Sequence, residues 1–220
     1  MLIWLLIIAG VVIADQATKA LMIYGLGLIE EGDSIPVIED IFHFTCVQNT
    51  GAAFGMLGEE NERWIFIVIS IIGIAALFIY LWKFRPDSKW ACAAISMVIG
   101  GGIGNMIDRC FRVGIVDGEE RHYVYDFLDF CAFPKLWKWT FNVADAFVCV
   151  GAGILMVWCI YSFVQEVKLE KQKKLAEAGA SDVIAEKSAE DDTEENIVED
   201  TEQNIEEKTE ENIEENTKEN

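Results

Sequence analysis

Four long apolar runs constrain the fold of this chain more than any other feature of its sequence. They cover about residues 2–24, 63–82, 90–107 and 141–163 of the 220 residues. A helix needs roughly 20 mostly apolar residues to cross the hydrocarbon core of a bilayer. The runs therefore predict an all-α membrane protein with four transmembrane helices, which together form one membrane domain over residues 1–165.

The acidic residues are concentrated after the last apolar run. The formal net charge is −20, although 52% of the residues are hydrophobic. An eight-residue pattern with a single isoleucine recurs at 193–200, 201–208 and 209–216. So little apolar surface cannot offset the entropy of ordering. We therefore predict a basic juxtamembrane segment at 166–176 and a disordered acidic tail at 177–220.

Two polar segments, 25–62 and 109–140, connect the predicted spans on one side of the membrane. The connection on the other side, at 83–89, is short and basic, and short basic loops stay in the cytoplasm. This places both termini in the cytoplasm and both polar segments outside it. Aromatic and β-branched residues at 41–47 predict a strand within the first of these segments.

Charged side chains occur inside the first predicted helix, where exposure to lipid would be costly. Asp15 and Lys19 are spaced i, i+4, so they can form an ion pair on one helix face. A simpler alternative is that both residues mark the membrane interface, with Lys19 extending into water. The spacing alone leaves both interpretations open.

The third predicted span ends in a stretch rich in glycine and polar residues. Gly100 and Gly104 have the spacing that permits close contact between membrane helices. Asn105 and Asp108 are spaced i, i+3 and share a face that cannot favourably contact lipid. We therefore expect this face to pack against other helices.

Asp126 and Asp145 are the candidate catalytic pair. Asp145 lies about one turn inside the fourth span, three residues after Asn142, where a charge costs up to about 2.5–3.5 kcal/mol. Two carboxylates a few Å apart share a proton, and such a pair can activate water to hydrolyse a peptide bond. The residues alone leave a second hypothesis open, in which these Asp and Asn side chains only join the helices of a structural or transport protein.

The sequence lacks the motifs of several other chemistries. It has no CxxC pair among its six cysteines, no HExxH around His43 or His122, no GxSxG, and no GxGD of the presenilin type. Ser96 has no lysine on its helix face to activate it. No phosphate-binding loop or cofactor motif is present. We therefore expect no metal, no cofactor and no nucleic-acid partner.

Five motifs in this chain resemble those of the lipoprotein signal peptidases, also called signal peptidase II. They are 15–19 (DQATK), 49–54 (NTGAAF), 104–109 (GNMIDR), 124–127 (VYDF) and 141–145 (FNVAD). The resemblance implies a four-span aspartyl endopeptidase of the bacterial inner membrane, with a small extracytoplasmic β-sheet in 25–62. We also expect the chain to be a monomer. Its substrates would be prolipoproteins, cleaved before a diacylglyceryl-cysteine whose acyl chains remain in the membrane lipid.

The same resemblance implies roles for individual residues. Asp126 and Asp145 would be catalytic. Substrate-binding or supporting residues would be Asp15, Lys19, Asn49, Gly104, Asn105, Asp108, Arg109 and Asn142. The stretch from 109 to 126 is longer than this family usually has, so Asp117 and Asp129 compete with Asp126 for its role.

Overall fold

Four long apolar helices form the body of the fold. The structure is a computed structural model that describes residues 1–51, 59–116, 118–132 and 139–175. Its helices are α1 (Leu2–Ala20, continued by a π-helical turn at Leu21–Gly25), α2 (Glu59–Lys83), α3 (Lys89–Phe111) and α4 (Val143–Leu175). Within the described ranges these four helices are long and apolar enough to cross a membrane.

The helix ends differ from the predicted span ends mainly where polar residues follow an apolar run. α3 continues to Phe111 instead of ending near 107, and α4 begins at Val143 and continues to Leu175. The good helix formers after residue 163 extend α4 through most of the basic segment. An exposed ion pair of 3.2 Å joins Lys174 to Glu170 there. The tail at 177–220 and Asp117 lie outside the described residues.

Large apolar side chains cover the outer faces of the helices. Only 11% of the most apolar stretch of α2 and 6% of that of α4 is buried inside the protein. Ile69 in α2 is 62% exposed and Val157 in α4 is 68% exposed. Water-soluble proteins rarely expose apolar surface on this scale, so these faces suit a lipid environment.

Glycines on α3 bring the helices into close contact. A Cβ atom at Gly100 would lie 3.0 Å from the carbonyl oxygen of Ile8 in α1. A Cβ atom at Gly101 would lie 2.5 Å from the carbonyl oxygen of Ala144 in α4. The close helix packing predicted from the glycine spacing is therefore present, and it involves both α1 and α4.

The strands form a four-stranded antiparallel sheet and a separate hairpin. The strands are β1 (Ser34–Ile38), β2 (Phe42–Asn49), β3 (Val113–Val116), β4 (Glu119–His122), β5 (Val124–Phe130) and β6 (Thr140–Phe141). The sheet has the order β1-β2-β5-β6, and β3 pairs with β4. The predicted strand at 41–47 is confirmed as β2. The expected small sheet is present: 25–62 supplies β1 and β2, and the second polar segment adds β5 and β6.

Strand β5 connects the sheet to the helices. Tyr125 and Phe127 are buried in a core that also contains Met22 and Cys46. The backbone N–H of Tyr125 donates a 3.1 Å hydrogen bond to the carboxylate of Asp108 in α3. This contact fixes β5 against the end of α3 and so determines where the neighbouring Asp126 lies.

Candidate active site

Asp126 lies in β5 and its carboxylate is almost completely buried. It is 2% exposed and stands opposite Val47 of β2. Its two oxygens accept hydrogen bonds from the side-chain amides of Asn49, at 2.9 Å, and Asn142, at 2.7 Å. Burial raises the pKa of Asp126 from the ordinary 3.8 to about 7, and the nearby charge of Asp145 adds to the increase.

Asp145 lies in the first turn of α4 and takes part in the N-terminal cap of that helix. The backbone N–H of Asn142 donates to the Asp145 carboxylate at 3.2 Å, and the backbone N–H of Asp145 donates to the Asn142 side-chain oxygen at 3.0 Å. This reciprocal pair is a capping box. The side chain of Asn105 donates a further hydrogen bond of 2.7 Å to Asp145. The Asp145 carboxylate thus lies at the positive end of the helix dipole and accepts two hydrogen bonds there.

Asn142 connects the two aspartates. Its side chain is fully buried. The amide nitrogen donates to Asp126 at 2.7 Å and lies 2.9 Å from the side-chain oxygen of Asn105, while the amide oxygen caps the helix at Asp145. The structure therefore brings Asp126 and Asp145 into one polar cluster through a residue that contacts both.

Lys19 joins two further carboxylates to this cluster. Its ammonium nitrogen lies 2.9 Å from Asp15 and 2.7 Å from Asp108, and all three side chains are buried. The i, i+4 ion pair that the spacing suggested is present, and the alternative of a Lys19 side chain extending into water does not hold, because Lys19 is 0% exposed. The ammonium also donates to Asn105 at 3.4 Å.

Gly104 makes room for the contact between α1 and α4. The carboxylate of Asp15 accepts a 3.0 Å hydrogen bond from the backbone N–H of Ala144 in the first turn of α4. A Cβ atom at Gly104 would lie 2.7 Å from the other carboxylate oxygen of Asp15 and 3.3 Å from the Cβ atom of Ala144. The glycine thus allows Asp15 to reach the start of the helix that carries Asp145.

The remaining predicted residues lie around the cluster. The guanidinium of Arg109 stacks 5.4 Å from the ring centre of Phe66. The carboxylate of Asp129 accepts a 3.0 Å hydrogen bond from Thr45 on the sheet. Of Asp126 and Asp129, Asp126 is the one whose carboxylate is bonded to Asn142. The other competitor, Asp117, lies outside the described residues.

Gln16, for which the sequence predicted no role, bonds to three groups of the cluster. Its amide nitrogen lies 3.1 Å from the Asp15 carboxylate, 3.2 Å from the carbonyl oxygen of Gly104 and 3.2 Å from the Asp108 carboxylate. Arg112 was also missed, and its Nε atom is 3.3 Å from Asp108. The available signals were an amide next to Asp15 inside an apolar run, and an arginine one helical turn after Asp108.

The arrangement suits acid and base chemistry by carboxylates. Among the described residues, no group of three or more His, Cys, Asp or Glu side chains has an arrangement that could hold a metal ion. The buried aspartates differ in environment: Asp126 has a raised pKa, whereas Asp145 lies at a helix amino terminus. Such a difference lets one carboxyl group act as an acid while the other acts as a base.

Comparisons with known proteins agree with this chemistry. A family model described as signal peptidase (SPase) II matches residues 7–161. The lipoprotein signal peptidase of Brevibacillus brevis is 41% identical over 157 residues, which cover 70% of this chain and 93% of that protein. The Geobacillus kaustophilus enzyme of the same name is 38% identical over 151 residues, which cover 69% of this chain and 88% of that protein. A solved bacterial membrane enzyme, determined by the in meso method, matches with a TM-score of 0.60 and 31% identity over 74% of this chain and 90% of its own.

The four apolar helices, the buried carboxylates and these matches define a membrane-embedded aspartic endopeptidase. Within that class, the chain belongs to the signal peptidase II family, since the family model covers well over half of its residues.

Proposed function

We propose that this chain removes the signal peptide from prolipoproteins whose cysteine carries diacylglycerol, and that Asp126 and Asp145 together activate the attacking water. The observation that carries the proposal is the buried side chain of Asn142, which hydrogen-bonds to Asp126 while it caps the helix turn of Asp145. Family membership supports the substrate class and the aspartic mechanism.

The different surroundings of the two aspartates support a division of roles. Asp126, with its raised pKa, starts protonated and donates its proton to the oxygen of the scissile carbonyl. Asp145, which accepts hydrogen bonds from Asn105 and from the backbone at the start of α4, takes a proton from water as the hydroxyl attacks the carbonyl carbon. The tetrahedral intermediate then collapses, the amine leaves with the proton held by Asp145, and Asp126 recovers its own proton.

The neighbouring polar residues have supporting roles in this scheme. Asn49 and Asn142 hold the Asp126 carboxylate, and Asn105 holds that of Asp145. Asp15 and Lys19, aided by Asp108 and by the space at Gly104, hold the amino terminus of α4 in place. Arg109 lies along the substrate path.

The membrane position of the cluster suits a lipidated substrate. The cluster lies at the sheet end of α1 and α3, where a peptide bond can enter while the acyl chains stay in lipid. The basic connection at 83–89 supports cytoplasmic termini and therefore an extracytoplasmic site in a bacterial inner membrane. We further propose that the chain acts as a monomer with membrane lipid around its helices.

Cleavage of a lipidated precursor tests the assignment of the pair. Asp126→Asn and Asp145→Asn should abolish cleavage while the protein stays inserted and folded in detergent. Asp129→Asn is the matched control on the same strand and should retain cleavage, as should Asp117→Asn. If either dyad variant cleaves at the normal rate, or if Asp129→Asn is the inactive one, the assignment is wrong. Loss of folding in the dyad variants would indicate instead that these residues only join helices.

A further inference from the structure

A cavity lies beside the active site, where α1 and α3 end. Its volume is about 390 Å³, within the range of about 300–1,000 Å³ that is usual for ligand pockets. Gln16, Asp108, Arg112 and Tyr123 contribute its polar lining. The cavity shares Gln16 and Asp108 with the polar cluster, but neither Asp126 nor the Asn49 and Asn142 side chains that bond to it are among the described residues that line it.

Arg112 supplies an uncommitted set of donors to this cavity. Its Nε atom is 3.3 Å from Asp108, and its guanidinium lies 5.7 Å from the ring centre of Tyr125. A guanidinium has five N–H donors. In the described part of the chain these contacts use only some of them. Asp108 binds Lys19 through one carboxylate oxygen and the Nε atom of Arg112 through the other, so the terminal nitrogens of the Arg112 guanidinium can still donate to a second acceptor.

The rim of the cavity is apolar and exposed. Tyr24 is 84% exposed and Phe111 is 80% exposed, and both lie at the ends of membrane-spanning helices. Ile29, at 60%, and Val113, at 49%, continue the rim. An exposed tyrosine at the end of a membrane helix, such as Tyr24, is typical of the level of the lipid headgroups.

We propose that this cavity binds a membrane phospholipid, with its phosphodiester on Arg112 and its glycerol and acyl chains along the Tyr24–Phe111 rim. Arginine binds phosphate oxygens in a forked geometry, and the pairing is stronger where water is partly excluded. A free phosphate would use Arg112 but would leave the apolar rim in water. A phospholipid satisfies both parts of the site at once.

Thermal unfolding of the purified full chain in dodecyl maltoside micelles tests this proposal. Added dioleoylphosphatidylglycerol should raise the Tm, and Arg112→Gln should need at least about tenfold more lipid for the same shift, as expected for the loss of a charged hydrogen-bonding partner. Arg85→Gln removes the same charge from an exposed arginine outside the cavity and should respond like the unaltered protein. An equal response of Arg112→Gln and Arg85→Gln would overturn the proposal.

Two further probes separate the parts of the ligand. Dioleoylglycerol has the same acyl chains without phosphate, and glycerol 3-phosphate has the phosphate without chains; neither should reproduce the shift. A full shift with dioleoylglycerol would reject the phosphate contact, and a full shift with glycerol 3-phosphate would reject the lipid.

Val113→Glu places a negative charge, like that of the phosphate, at the exposed rim without touching the Asp108 pair. It should therefore weaken the response to the lipid even if Arg112→Gln proves unstable. An unchanged response of Val113→Glu would count against this site.

Discussion

Asn142, the residue that caps α4, donates a 2.7 Å hydrogen bond to the carboxylate of Asp126. One buried amide therefore performs two tasks that usually fall to separate residues. It starts the helix that presents Asp145, and it fixes the carboxylate of a β-strand from another part of the chain. The distance between the two aspartates depends on this residue, because each of them is bonded to it.

Substitutions at Asn142 should separate its two tasks. Serine retains a side-chain acceptor for the helix cap but is too short to reach Asp126, whereas alanine loses both contacts. We expect both variants to lose activity by about 100-fold or more, the range in which positioned acid–base groups contribute. Only Asn142→Ala should also lose about 1 kcal/mol of stability through the missing cap. Cleavage rates and thermal unfolding midpoints check this, and an active Asn142→Ser would show that the bond to Asp126 is dispensable.

The pH dependence of cleavage should follow the proton on Asp126. The pKa of Asp126 is about 7, so this carboxyl group is mainly protonated below that pH and mainly ionised above it. We expect kcat/KM to fall on the alkaline side with an apparent pKa near 7, a value that belongs to the pair as a whole. Asp129→Asn should leave the profile unchanged. A rate that stays constant from pH 6 to about 9 would contradict the role of Asp126 as the acid.

The same pKa change should appear in the stability of the protein. The ordinary pKa of an aspartate is 3.8 and that of folded Asp126 is about 7, so between these values the folded chain holds a proton that the unfolded chain has released. The contribution of Asp126 to the free energy of unfolding should therefore fall as pH rises from about 4 to 7 and stay constant above that range. The difference in Tm between the unaltered protein and Asp126→Asn, measured across this range, isolates the effect from the other acidic residues. A Tm difference that does not vary with pH would show that folding does not change the pKa of Asp126.

Local spacing was enough to predict some contacts of the cluster. The Asp15–Lys19 pair follows from one helical turn, and the close approach at Gly100 follows from a four-residue spacing in an apolar run. The bond between Asn49 and Asp126 could not be predicted in this way. It depends on the register of β2 against β5. That register shifts at a bulge between Phe44 and Val47, and beyond the bulge Val47 pairs with Asp126.

Tertiary contacts also explain strand β5 and the full length of α3, neither of which could be predicted from local sequence. Strand β5 carries two aspartates and lacks a simple alternation, so its strand character arises from pairing with β2 and from burial rather than from its own pattern. α3 extends past the apolar run because Asp108 finds Lys19 and Arg112 as partners inside the protein. Polar residues that end a hydrophobic run in sequence need not end the helix.

Gly104→Ala should disturb the site through Asp15. The added methyl group would lie 2.7 Å from the Asp15 carboxylate, which would have to move away from the backbone of Ala144. We expect a loss of about 1–3 kcal/mol, typical of overpacking, together with reduced cleavage. Gly73→Ala in α2 is the matched control, because a Cβ there meets nothing within 4 Å. If both variants unfold at the same temperature, the space at Gly104 is not required.

Lys19→Met should be the most destabilising of these changes. The ammonium of Lys19 is the shared partner of two buried carboxylates, Asp15 and Asp108, at 2.9 and 2.7 Å. Removing one member of a buried ion pair leaves uncompensated charge and costs about 3–5 kcal/mol. Lys174→Met removes a lysine from an exposed i, i+4 pair with Glu170 and should have no measurable effect. Thermal unfolding of the two variants side by side gives the comparison. Equal midpoints would mean that Asp15 and Asp108 are held by their other hydrogen bonds, and that Lys19 does not maintain the position of α4.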